Sequence, residues 1–183
     1  MLLIKRGTTE NAKYLASVLA EVQREGHPVK WVVHSQGGII FTSAVEYFNN
    51  NRNYFGLNSL DKNSVVFHAG GNRIEDSKKK EGSRTVLSRA NIKCEFPENN
   101  PFDPVPRIAG GNDRTLKAAR ETAPFINRIR GDDPQCSPHT LPFITITHYA
   151  NLLEINGDPS GAERVRQSKY YKEQSENQDN KVC

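Results

Sequence analysis

Only three cysteines occur in 183 residues, and no two form a Cys-x-x-Cys pair. Cys94, Cys136 and Cys183 are widely spaced and odd in number, which argues against both a disulfide framework and a zinc site. Reduced thiols in a cytosolic compartment fit that usage. No run of about 18 apolar residues occurs, so no membrane-spanning helix is expected. The start, MLLIKRGTTENAKY, has too short an apolar stretch for a Sec-type signal peptide and lacks a small-residue cleavage pattern. The expected location is therefore cytoplasmic, with export by a non-Sec route left open. Basic and aromatic residues are not interleaved, and the net charge of +4 is dispersed. Nucleic acid is accordingly not an expected partner. The one dense basic run, Lys78-Lys79-Lys80, reads as a solvated loop.

What is present is ordinary for a globular chain: 36% hydrophobic and 25% charged residues, enough length for one domain with a real core. Thr8 or Thr9 caps a predicted helix that ends near Glu25, with Gly26 as the stop. Val29 to Val33 reads as a buried strand and Ile39 to Phe48 as a helix. Ser64 to Gly70 (SVVFHAG) is a short apolar run, as a buried parallel strand should be. Residues 72 to 89 read as a charged loop, and NIKCEF, ending near Phe96, as a third strand. Thr115 to Arg130 is helix-compatible, with Pro124 expected to start, kink or divide it. LPFITIT alternates like a strand, and HYANLLE opens a last helix. From Asn156 the chain turns polar and reads as a frayed tail. Strands alternating with helices imply an α/β layer with parallel pairing. The expected organisation is one domain over 1–155 and a polar tail over 156–183.

Between the first strand and its following helix lies VVHSQGG, Val32 to Gly38. A serine on a tight strand-to-helix turn matches the nucleophile elbow, which projects its hydroxyl above the sheet edge. The flanking residues are expected to be small because the helix start passes close to the strand. Gly37 and Gly38 meet that demand; Val33 stands where the G-x-S-x-G pattern has its first glycine. The backbone N–H of Gln36 is placed to meet a developing oxyanion, helped by the helix N-terminus. Ser35 is the candidate nucleophile. The plainer alternative is that Ser35 and Gly37 only shape a tight turn.

A serine nucleophile needs a base, and the base an orienting acid, in the chain order Ser, Asp or Glu, His. The acid belongs after the next-but-one strand from the elbow. Asp103, in NPFDPVPRI, sits there, with Pro104 and Pro106 to stiffen its loop. Asp113 is a rival at a predicted helix cap. For the base, His148 directly follows a strand-like run, whereas His139 lies in a loop context. His34 is expected to point away from the nucleophile. His68 precedes the acid, the wrong order, and His27 reads as a surface helix end.

These residues resemble the α/β-hydrolase superfamily, especially class 3 lipases and bacterial effector lipases. VVHSQGG and the Asp-Pro-Val-Pro-Arg-Ile run from Asp103 carry the resemblance, which covers roughly residues 8 to 155. It points toward His139, because Ser-Pro-His before an apolar residue is similar to lipase histidine loops, so both histidines stay open. It implies a partial α/β-hydrolase fold, hydrolysis of carboxylic or lipid esters through an acyl-serine, and no cofactor and no metal. Only 28 residues precede the first strand, and no HGGG-type oxyanion loop lies among them. The expectation is therefore the C-terminal half of such a fold, with an open sheet edge and room for a partner chain. A degenerate hydrolase fragment acting as an interaction module, and a peptidase or thioesterase on the same fold, are the competing expectations.

Overall fold

The computed structural model describes residues 8–97, 99–129, 136–139 and 145–179. Those residues fall into two units: 8–97 with 109–112, and 99–108 with 113–179. Each unit is described by itself. No helix among the described residues is long and apolar enough to cross a membrane.

The first unit is a small α/β layer. Helix α1 spans Glu10–Glu25; Thr9 caps it by accepting from the Ala12 amide, and Gly26 ends it at φ 77°. That left-handed φ is where glycine carries no Cβ penalty. Strand β1 spans Val29–His34, α2 Gln36–Asn50, and the single turn α3 Arg52–Phe55. Strand β2 spans Asn63–His68, α4 Ser83–Arg89 and β3 Lys93–Glu95. The strands form one parallel sheet in the order β1-β2-β3, with Val29 opposite Asn63 and His34 opposite His68. Helices α1 and α2 pack on each other. Ala16, Leu19, Phe41, Val45, Val65 and Phe67 belong to one core with Leu87 of α4.

Two expectations change here. β1 is an edge strand among the described residues, and it alternates half-buried with exposed instead of being buried on both faces. Val32 is 66% exposed as a result. The segment expected as a charged loop contains α4, whose helical signal is three inward residues, Ser83, Val86 and Leu87, among charged neighbours.

The second unit is helical. A π-turn covers Val105–Ala109, and α5 spans Leu116–Thr122, capped by Thr115. Ala123–Phe125 tightens to a 3₁₀ turn with Pro124 inside it, and α6 spans Ile126–Ile129. The proline thus divides the expected long helix, as its missing N–H requires. Helix α7 spans Ile146–Ile155, α8 Pro159–Gln167 and α9 Lys169–Asp179. The expected frayed tail is therefore largely helical. Asp158 caps α8 by accepting from the Gly161 amide, and Pro159 occupies its first turn. Ala162 and Val165 are fully buried against Tyr149, Ala150 and Leu153 of α7. Of the strand expected over LPFITIT, residues 141–144 lie outside the described residues, and Ile146 and Thr147 are already in α7.

Candidate active site

Ser35 stands between β1 and α2 with φ 53° and ψ −121°. An L-residue in that region is strained by about 1–3 kcal/mol and persists only where its surroundings over-determine it. They do so through hydrogen bonds: the Ser35 amide donates to the His68 carbonyl at 3.2 Å, and the Ser35 carbonyl accepts from Gly38 at 3.2 Å and Gly71 at 3.1 Å. A serine placed here only to cap α2 would be extended and would accept from an amide of the first turn. Ser35 is not extended and makes no side-chain cap bond. Gln36 opens α2, so its N–H has no partner inside the helix by the geometry of any helix start.

The steric demand on the two glycines is unequal. A Cβ on Gly37 would meet only the Val33 Cβ, at an ordinary 3.8 Å, so the two positions do not crowd each other. A Cβ on Gly38 would lie 2.4 Å from Asn72 Oδ1 and 3.2 Å from the Phe67 ring. Asn72 donates to Ser83 Oγ at 2.6 Å, Ser83 Oγ lies 3.0 Å from Thr42 Oγ1, and Thr42 donates to the Gly38 carbonyl at 2.8 Å. This polar cluster ties the first turn of α2 to α4. Sequence reasoning missed it; the Gly-Gly-Asn run behind β2 was its only local signal.

In the second unit Asp103 is fully buried. Its Oδ1 accepts from the Val105 amide at 2.8 Å, and its Oδ2 lies 2.9 Å from His139 Nδ1. One oxygen thus closes the turn before the proline-rich segment while the other orients an imidazole. A carboxylate on Nδ1 fixes the proton there and leaves Nε2 as the basic nitrogen. His139 is itself buried, and its amide donates to the Ser137 hydroxyl oxygen at 3.3 Å.

His148 is placed elsewhere. It is exposed in the first turn of α7, with Nδ1 2.7 Å from Thr145 Oγ1. Thr145 caps the helix that carries it, so Ile146 and Thr147, directly before it, are helical. Asp113 serves Arg107, at 2.7 Å, and the Thr115 cap, at 2.8 Å. The Arg107 hydrogen bond is the main reason its carboxyl sits below the usual carboxylate range. His68 ends β2; burial first, and His34 second, push its imidazole below the ordinary value. His27 is exposed beyond α1. Among the described residues, no group of three or more His, Cys, Asp or Glu is placed to hold a metal ion.

No known relative emerges. No family model, curated protein or solved structure matches the chain. Beyond that, the first unit stands as mixed α/β with a three-stranded parallel sheet and flanking helices.

Proposed function

We propose that this chain is a serine hydrolase of carboxylic esters, lipid esters included, built on part of an α/β-hydrolase fold. Ser35 is the nucleophile, His139 the base and Asp103 the orienting acid. The observation that carries the reading is the backbone of Ser35, held at positive φ without capping its helix. The buried Asp103–His139 pair supports it independently.

In this reading Ser35 Oγ attacks the ester carbonyl carbon while its proton passes to His139 Nε2. The charge on the carbonyl oxygen meets the Gln36 N–H and the positive end of α2. Collapse breaks the C–O bond; the alkoxide leaves with the proton from His139, and the acyl group stays on Ser35. Water then repeats the sequence, releasing the acid and restoring the serine. Asp103 holds the imidazolium through its contact with Nδ1. No cofactor enters these steps. Ser35 belongs to the first unit, and Asp103 and His139 to the second.

The test is labelling by a fluorophosphonate. The intact chain should label at Ser35, and Ser35→Ala should abolish it. His139→Ala should lower the labelling rate by about a hundredfold or more, and His148→Ala should leave it within about twofold. An unlabelled but folded chain would overturn the reading. The β1 edge, with Val32 66% exposed, favours a second reading in that event: an elbow-bearing module that engages a partner chain without catalysis.

A further inference from the structure

The helix that carries His148 has a different residue turned into the second unit. Tyr149 is fully buried, the largest side chain to be so among the described residues. Its hydroxyl donates to the Cys136 carbonyl at 3.0 Å, three residues before His139. Its ring stacks on Phe102, immediately before Asp103, with centroids 6.3 Å apart and an interplanar angle of 26°. The same ring packs against Phe125 at 6.1 Å. One side chain therefore touches both segments that carry the acid–base pair: the ring bears on the acid's segment and the hydroxyl on the base's. Cys136 Sγ also approaches the Leu152 carbonyl of α7 at 4.0 Å, so the histidine turn rests on this helix at two points.

We infer that Tyr149 is a positioning residue, setting the Asp103–His139 hydrogen bond from behind while touching neither reacting group. The role assigned to the pair rests on the hydrolase reading; the coupling of Tyr149 to the pair does not. The physics is direct. His139 sits in an irregular turn, Pro138–His139, and such a turn holds an imidazole only as well as its backbone is anchored. A buried hydrogen bond from a stacked ring is a stiff anchor, because both partners lose water and neither can exchange it. The phenol stays neutral at working pH: burial first, with the Asp103 charge among the further causes, raises its pKa. The donor is therefore present throughout.

The experiment compares Tyr149→Phe with Tyr170→Phe in the full chain. Tyr170 also packs on Phe102, and its hydroxyl goes to Glu121 at 3.1 Å, away from the histidine turn. The readout is the ring Nδ1 proton of His139 by nitrogen-edited NMR, assigned by its loss in His139→Gln. Tyr149→Phe should speed exchange of that proton about tenfold with solvent and shift the imidazole titration; Tyr170→Phe should do neither. A folded Tyr149→Phe chain with the native exchange rate and titration overturns the inference. Should that variant not fold, the native chain serves. The Tyr149 hydroxyl proton and the His139 ring proton should then exchange through one opening event across denaturant, and independent openings overturn it. Fluorophosphonate labelling is scored separately. A chain that never labels yet shows the Tyr149 effect loses the hydrolase reading and keeps the positioning one.

Discussion

Ser35 and Gly38 place opposite demands on the same turn. Ser35 must hold a backbone conformation that disfavours any side chain, and Gly38 must have none at all. Gly38→Ala forces a methyl onto Asn72, whose amide is held by its buried hydrogen bond to Ser83 Oγ at 2.6 Å. The expected cost is about 1–3 kcal/mol, read as a lowered midpoint in thermal or urea unfolding. Gly37→Ala meets only ordinary contact and should stay within about 1 kcal/mol of the native chain. A reversed order would show that the turn relaxes around Gly38. His68 supplies a pH dependence at the same scale. Its native pKa is lowered from the ordinary 6.5, chiefly by burial. Between the two values the unfolded chain binds more protons, so stability is full above 6.5 and falls as pH drops toward the native value. His68→Gln should flatten that part of a stability-against-pH curve; an unchanged slope would assign it to another group.

Among the elements, legibility in the sequence followed how local each signal was. Helix α1 was readable because Thr9, the Leu15–Leu19 spacing and Gly26 all lie within its own length. β1, β2 and the tight turn from β1 into α2 were readable for the same reason: apolar runs bounded by turn residues. Helix α4 was not, since only Ser83, Val86 and Leu87 face inward. Helix α8 buries Ala162 and Val165, residues too small to mark an amphipathic face against Arg and Glu neighbours. At the site, the motif marked Ser35 and strand order marked Asp103. The histidine was ambiguous because its pairing with Asp103 spans 36 residues and depends on tertiary packing. The same packing turns α7 so that Tyr149 goes inward and His148 outward, a one-residue difference that an uncertain helix start could not resolve.

At the scale of the whole molecule, the polar C-terminal segment is part of the second unit's core. Shortening the chain after Gly157 removes Asp158, which caps α8 and pairs with Arg128. It also removes Ala162 and Val165, which cover Tyr149, Ala150 and Leu153. The shortened chain should lose amide-exchange protection across α7 while β2 and α2 keep theirs. Loss of protection everywhere would mean that the two units fold as one cooperative body. Retained protection in α7 would mean that α8 is dispensable.

Ser35 at φ 53° and Ala69 at φ 47° follow adjacent strands, both in a region that glycine enters far more easily. Each holds a backbone conformation that glycine would hold with less strain. A lineage with no use for the serine hydroxyl would gain stability from glycine at position 35, and drift would have little reason to restore the serine. If Ser35 is the proposed nucleophile, serine at this position is kept against a standing incentive to lose it, and glycine there would mark its retirement.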